Sequence, residues 1–237
     1  MPDGNPYPVN PRWAVAEQVA ETARRRFPAD ILAIGVYGSM AHGDDTDASD
    51  IDLVVVTYRP GSGPHPVARR VDGQLVDLSV IGAEDYLRHA RTLSTSWPLA
   101  ADRYLTTKPL YDPNGWLDKL RDAHLGRLAD ARGTEFAALA REAWCRAASA
   151  HARAARLAEW YDTDAALLVI GEARLAAATV AGLLTRTYFR NSADAVTRTG
   201  LAAAGIIELG GALGAQSDEL AARGRPVDAT VDDLFGR

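Results

Sequence analysis

Hydrophobic residues change their spacing along the chain, from short apolar runs in the first half to a helical period in the second. Ile31–Tyr37 and Ile51–Thr57 are short and rich in β-branched residues, which predicts two strands. Gly73–Ile81 alternates between apolar and polar residues and predicts a third strand. Trp13–Phe27 has apolar residues at helical spacing and ends at a proline, so it predicts a helix.

The connections in this half are less regular. Arg59–Pro66 is dense in Gly and Pro and predicts a loop. Ala83–Leu93 predicts a helix, and Tyr104–Asp112 a short strand or extended segment.

Beyond Asn114 the chain is rich in Ala, Leu and Arg at helical spacing, broken near Gly133, Asp162–Asp164 and Arg190–Ser192. We therefore predict an α+β protein, with a mixed sheet and its helices in residues 1–125 and a helical bundle in residues 126–237. Three tryptophans are expected to pack between domains or subunits: Trp97, Trp116 and Trp144.

An acidic loop joins the first two predicted strands, in the stretch YGSMAHGDDTDASDID. Ten residues separate Ser39 from Asp50, and Asp50 and Asp52 stand at i and i+2 at the start of the second strand. Since side chains alternate across a strand, both carboxylates project from one face, ~6 to 7 Å apart along the chain. The other aspartates of the loop, Asp44, Asp45 and Asp47, are expected to be solvated.

A third carboxylate is expected beside this pair. Asp77 is the only charged residue inside the third predicted strand, and pairing of that strand with the second would bring Asp77 to the same face. Clustered carboxylates repel one another unless a cation neutralises them, and hard oxygen ligands favour Mg²⁺ or Mn²⁺. Gly38 would let the backbone approach a triphosphate, whose oxygens Ser39 could hydrogen-bond.

Composition narrows the choice of partners. The chain has 47% hydrophobic and 24% charged residues, a single cysteine and a net charge of −5. That charge argues against nucleic-acid binding and favours a cationic small molecule. We found neither a signal peptide nor an apolar run near the roughly 20 residues that cross a membrane, so a cytoplasmic location is expected.

The pattern G-S-x10-D-x-D followed by a strand carboxylate resembles the DNA polymerase β-like nucleotidyltransferase superfamily. Within it, AIGVYGSM, SDIDLVVV, WPLAADRYLTTKPLYDPNGWLDKL and GLLTRTYFRNSADAVT are similar to the kanamycin nucleotidyltransferases, which are aminoglycoside 4′-nucleotidyltransferases. The resemblance implies transfer of a nucleoside monophosphate from magnesium-bound ATP, or another nucleoside triphosphate, to a substrate hydroxyl. It also implies a homodimer whose helical domains complete each active site.

The resemblance implies that Asp50, Asp52 and Asp77 bind the metal. It also implies that Gly38 and Ser39 belong to the loop that binds the triphosphate. His42 and Ser49 complete the predicted nucleotide-binding set. His42 stands near the position of a stronger base in the family.

The general base is the weakest part of the resemblance. The family has a glutamate-rich start to its helical domain, but here only Glu135 and Glu142 offer carboxylates and Arg146 stands where the base is expected. Glu142 is the leading candidate for the base and His151 a weaker one. Glu142 could equally form an exposed helical pair with Arg146.

Three functions remain open on the sequence. The first is transfer to a small molecule, with an aminoglycoside as one possible acceptor. The second is transfer to a hydroxyl of a protein or RNA, and the third is a regulatory module that binds nucleotide without catalysis.

Overall fold

The computed structural model describes residues 11–234. Its elements, in chain order, are α1 (Pro11–Arg26), β1 (Ile31–Tyr37), α2 (Gly38–His42), β2 (Ile51–Thr57), β3 (Val67–Val71), β4 (Gln74–Gly82), α3 (Ala83–Ala90), α4 (Trp97–Thr106), β5 (Lys108–Tyr111), α5 (Trp116–Asp130), α6 (Gly133–Glu159), α7 (Thr163–Thr185), α8 (Ser192–Arg198), α9 (Ile206–Ala222) and α10 (Val231–Leu234). The α+β class predicted from the sequence is confirmed: a mixed sheet with helices comes first and a helical region follows.

The five strands form one sheet in the order β3-β4-β2-β1-β5. Strand β1 runs antiparallel to β2 and β5, whereas β2 and β4 are parallel. The predicted bounds of β1 and β2 are confirmed, and the third predicted strand is β4, shifted by one residue. Its predicted pairing beside β2 is also confirmed.

The alternation of side chains along β2 divides the core into two layers. Ile51, Leu53 and Val55 face the layer that contains α1, while Val54 and Val56 face the layer that contains residues of α3 and α5. Both layers are apolar because the sheet is covered on both sides. Asp52 shares the face of Val54 and Val56, since residues two apart point the same way.

A hairpin that the sequence analysis did not predict connects β3 to β4. Val71 pairs with Gln74 across a two-residue turn of Asp72 and Gly73, which both have positive φ (48° and 81°). An Asp-Gly pair is a strong signal for this turn because glycine adopts positive φ without strain and aspartate tolerates it. Strand β3 lies at the edge of the sheet and is mostly exposed.

The chain forms two compact units. The first comprises the described residues up to Thr92 together with Arg103–Leu128, and the second comprises Leu93–Asp102 together with the described residues from Ala129 onward. The division therefore falls inside α4. The sequence predicted one boundary, between residues 125 and 126. It did not predict that Leu93–Asp102 would belong to the second unit.

Helix α4 explains part of that difference, because no helix was predicted there. Tyr104–Asp112 was expected to be extended, but its first three residues belong to α4 and only Lys108–Tyr111 form a strand.

Alanines make up much of the core of the second unit. The buried alanines of α6 and α7 let the two helices pack closely along their length; they include Ala147, Ala150, Ala154, Ala173, Ala177 and Ala178. Asp162 begins α7 by accepting a hydrogen bond from the Ala165 backbone N–H (3.3 Å). The predicted breaks near residues 133, 162 and 190 are confirmed.

One further break was missed. Residues 199–205 separate α8 from α9, with Gly200 at φ 74°, although the alanines of this stretch favour helix.

Each of the three tryptophans makes a contact inside its own unit, and their expected packing between domains or subunits stays a prediction. Trp116 stacks on Tyr86 in the first unit, with ring centroids 5.9 Å apart. In the second unit, Trp97 meets Phe136 edge-on, and the Trp144 indole N–H donates to the Leu213 carbonyl (2.8 Å).

Helix α7 is the one helix among the described residues that is long and apolar enough to cross a membrane, whereas the sequence analysis had found no such run. Ten of its residues are buried, and it packs against α6, α8 and α9. The core helix of a globular unit has the same composition, so α7 is weak evidence for a membrane span.

His124 predicts a pH dependence of stability. Its Nδ1 donates to the Ala90 carbonyl at the end of α3 (2.6 Å), and burial lowers its pKa below 6.5 although this hydrogen bond opposes the shift. The unfolded chain therefore binds a proton at higher pH than the folded one, and stability falls as pH drops through about 6.5. We expect His124→Asn, which keeps a donor but does not titrate, to flatten the dependence of Tm on pH between 7 and 5. The exposed His89 supplies the control, His89→Asn; equal slopes in all three proteins would contradict this prediction.

Candidate functional site

Strand pairing brings Asp52 and Asp77 side by side. They are register partners on the parallel strands β2 and β4, so their side chains leave the same face of the sheet. On the other side of Asp52, its partner across the antiparallel pair is Tyr37, the last residue of β1. The Tyr37 hydroxyl lies 3.3 Å from the hydroxyl of Ser79, two residues after Asp77 on the same face.

Asp50 lies just before β2, and its charge acts on Asp52. The pKa of Asp52 is raised from 3.8 to about 6, first by burial and then by the neighbouring charges of Asp50 and Asp77, while the charge of Arg103 acts in the opposite direction. The three predicted carboxylates are thus close enough to interact. Ionising Asp52 is unfavourable in this cluster unless a cation is present.

Asp50, Asp52 and Asp77 have side chains of the type that binds a divalent cation. All three side chains supply carboxylate oxygens, the ligands that Mg²⁺ and Mn²⁺ prefer, and a cation among them would offset their repulsion. Within residues 11–234, no three His, Cys, Asp or Glu side chains already stand in metal-binding geometry. Asp50, Asp52 and Asp77 as metal ligands therefore stay a prediction.

Gly38 lies directly against Asp52. Its φ is 70°, and a Cβ added at this position would come 2.3 Å from Oδ2 of Asp52. A side chain here would be strained by the backbone conformation and would also displace the carboxylate. The turn after β1 and the acidic face therefore need glycine at this position.

The remaining predicted nucleotide-binding residues stand on the loop that begins at Gly38. Ser39 is half-buried in the short helix α2, and His42 is half-buried at its end. Ser49 has a clear part in the loop structure: its hydroxyl accepts a hydrogen bond from the Thr46 backbone N–H (2.9 Å), and its carbonyl accepts one from Arg12 (2.8 Å). Its contact with nucleotide remains a prediction.

Arg12 also corrects the expectation for one loop aspartate. Asp45 was expected to be solvated, but its side chain is only 9% exposed and lies 3.9 Å from the buried guanidinium of Arg12. Asp44 and Asp47 are exposed, as predicted. Arg12 thus fastens the acidic loop to α1 at Asp45 and Ser49, close to where β2 begins.

Glu142 belongs to the second unit, on α6. Its carboxylate forms an ion pair with Arg146 one turn later, and both side chains are largely exposed (58% and 64%). Arg146 also donates to the hydroxyl of Thr95 (3.0 Å). The alternative weighed from the sequence, an exposed helical pair, is what the structure contains, and a role as general base remains a prediction. His151 is bound to the Ile206 carbonyl (2.8 Å), which gives it a structural part.

One residue beside the acidic face was not predicted. Arg103, near the end of α4, places its guanidinium 4.5 Å from the centre of the Tyr37 ring. No motif marks it, because its neighbourhood depends on how the segment that begins at Arg103 packs on the sheet. The signal available in the sequence was a single cation among the apolar and small residues of Trp97–Thr106.

Part of the chain matches a known protein family. Residues 16–94 match the family model described as a nucleotidyltransferase domain, a range that contains β1 to β4 and the carboxylates of Asp50, Asp52 and Asp77. These residues are therefore similar to a nucleotidyltransferase domain, which confirms the superfamily resemblance seen in the motif.

Two curated relatives are more specific. The chain is 27% identical over 111 residues to aminoglycoside nucleotidyltransferase (4′) of Staphylococcus aureus and equally to that of a Bacillus species. Each match covers 46% of this chain and 43% of the relative, so the chain spans less than half the length of these relatives.

A solved structure gives a looser likeness. A nucleotidyltransferase-like protein from Exiguobacterium sibiricum is 16% identical, with a TM-score of 0.45 over 87% of this chain and 75% of the other. A superposition this loose supports no detailed comparison of sites.

Asp52 predicts a second pH effect, opposite in sign to that of His124. Because its pKa is higher in the folded protein (about 6) than the ordinary 3.8, folding favours the protonated form, and stability is lost as pH rises from about 4 to 6. Without divalent cations we expect Asp52→Asn to raise Tm relative to wild type at pH 7, with the gain vanishing below pH 4. Added Mg²⁺ should raise the Tm of the wild type but not that of the variant.

Asp47→Asn, in the exposed part of the same loop, is the matched control and should shift Tm little. The prediction is wrong if Asp52→Asn and wild type differ by the same amount at pH 4 and pH 7.

Proposed function

We propose that the protein is a magnesium-dependent nucleotidyltransferase that transfers AMP from ATP to a hydroxyl of a small molecule and releases pyrophosphate. The observation that carries this proposal is the parallel register of β2 and β4, which sets Asp52 beside Asp77 with Asp50 in reach, inside a nucleotidyltransferase domain. The three acids would hold Mg²⁺, or Mn²⁺ in its place. When bound, the cation would neutralise triphosphate charge and orient the α-phosphoryl group.

The loop at Gly38 supports the same function. Absence of a side chain leaves room for the backbone and the Asp52 carboxylate to meet, and the Ser39 hydroxyl follows directly as a donor to phosphate oxygen. In the transfer, the acceptor oxygen forms a bond to the α-phosphorus while the bond to the bridging oxygen of pyrophosphate breaks. The proton of the acceptor hydroxyl passes to a base.

An aminoglycoside is the first acceptor to examine. The two relatives are named for this substrate class, and the net charge of −5 favours a cationic molecule. The helical unit would bind this acceptor and pair two copies of the chain into a homodimer, as the family resemblance implies.

A turnover assay tests the function. Purified protein with Mg²⁺, ATP and a panel of aminoglycosides and other hydroxylated small molecules should release pyrophosphate. We expect Asp50→Asn, Asp52→Asn and Asp77→Asn each to lower the rate about 100-fold or more while the fold is retained, because each removes a charge from the cation site. Asp47→Asn should keep the wild-type rate. No release with any acceptor by a folded wild-type protein would argue against the proposal.

Glu142 has its own test. If Glu142 takes the proton of the acceptor hydroxyl, its ion pair with Arg146 must open, and Glu142→Gln should lower kcat about 100-fold or more with little change in the KM for ATP. Its control is Glu172→Gln, since Glu172 forms a comparable exposed pair with Arg153 (3.1 Å) in the same unit. A Glu142→Gln variant with the wild-type rate would leave the pair with Arg146 as the whole role of this residue.

A further inference from the structure

Arg103 stands on the acidic face of the sheet without being part of the predicted motif. It belongs to the first unit, and its guanidinium lies 4.5 Å from the ring centre of Tyr37. Tyr37 is the cross-strand partner of Asp52 and reaches over to Ser79 on β4. A group above the Tyr37 ring is therefore on the side of the sheet from which Asp52 and Asp77 project.

Aromatic rings surround Arg103. The side chain is half-buried, and Tyr86 and Tyr104 lie close enough to act on its charge. The Tyr86 ring in turn contacts Tyr104 (5.7 Å between centroids) and Trp116 (5.9 Å). An arginine stacked among packed aromatic rings loses little further freedom when it binds a ligand.

The charge of Arg103 is not neutralised within the described part of the protein. No carboxylate among these residues lies within ion-pair distance, and its buried Nε has no hydrogen-bond acceptor. Two other arginines of the same unit do pair, Arg88 with Asp85 and Arg121 with Asp118 (2.8 Å). A hydrogen bond with Tyr37 uses part of the guanidinium, but a buried Nε without an acceptor is costly, and in a native protein it calls for an explanation.

Nearby acids do not supply that explanation. The Arg103 charge lowers the pKa of Asp52, but the two groups form no direct pair. If the three acids bind a cation, they become unavailable to balance Arg103. An anion at this face would be attracted both by that cation and by the arginine.

We propose that Arg103 binds a phosphate oxygen of the nucleoside triphosphate at the face formed by Asp52 and Asp77. This inference rests on the proposed function, which it deepens by naming the side chain that recognises the triphosphate. Arginine suits the task because its planar guanidinium donates paired hydrogen bonds that match the spacing of phosphate oxygens. It would supply the fixed positive charge that His42 does not guarantee.

Binding measurements test the proposal without depending on turnover. Calorimetric titration of wild type and of Arg103→Met with MgATP and, separately, with adenosine distinguishes recognition of phosphate from packing. We expect the variant to bind MgATP about 10- to 100-fold more weakly and adenosine unchanged, since only the charged hydrogen bonds are lost. Arg88→Met, on the exposed face of α3, should bind both ligands as wild type does.

The variant Arg103→Lys controls for the possibility that Arg103→Met weakens binding through lost packing. It keeps the charge but lacks the planar fork, and we expect its affinity for MgATP to fall between those of wild type and Arg103→Met. If Arg103→Met fails to fold, Arg103→Lys decides: a folded lysine variant with the wild-type affinity for MgATP overturns the proposal. Equal weakening for MgATP and adenosine in a folded variant also overturns it, because that result indicates a packing role.

The outcomes separate this proposal from the proposed function. If the wild type turns over and Arg103→Met binds MgATP with the wild-type affinity, the role of Arg103 is overturned and the proposed function stands. Selective loss of MgATP binding in a protein that never releases pyrophosphate supports the role of Arg103 and argues against catalysis. A wild-type protein that binds no MgATP overturns both.

Discussion

Repulsion among three carboxylates is the constraint on which the candidate site depends. Burial and the neighbouring acids raise the pKa of Asp52 to about 6, which shows that the folded protein accommodates its ionised form poorly. Natural cores avoid such arrangements because each unpaired charge lowers stability. The cluster is retained at the cost of stability, and a divalent cation with its bound phosphate is the partner that would make it favourable.

The sheet is built so that this cluster cannot disperse. The apolar residues Ile51, Leu53 and Val55 fix one face of β2 against the layer of α1, so Asp52 is directed to the opposite face. A shift of register by one residue would bury Asp52 in that layer and move the three apolar side chains to the acidic face. The core therefore specifies the position of the carboxylates, although it never touches a substrate.

Local sequence patterns predicted the strands and the pair Asp50 and Asp52. They did not predict contacts between segments that lie far apart in the chain. β-branched runs identified β1 and β2, and the i, i+2 spacing of Asp50 and Asp52 needed only strand geometry. The Asp72-Gly73 hairpin was visible in the sequence but was overlooked. The burial of Asp45 against Arg12 and the stacking of Arg103 on Tyr37 are different, because each joins segments whose approach is decided by packing.

The second unit poses the harder question of how proton transfer would be supplied. Glu142 is exposed and held by Arg146, which also binds Thr95 on the short segment Leu93–Asp102. An exposed ion pair is worth little, at most about 1 kcal/mol, so a cationic acceptor could replace Arg146 as the partner of Glu142 at small cost. This exchange would release the carboxylate from Arg146 and bring it to the acceptor only when the acceptor is bound. The pairing seen in the structure is thus compatible with the proposed base, and the weakness of that pairing is what makes it so.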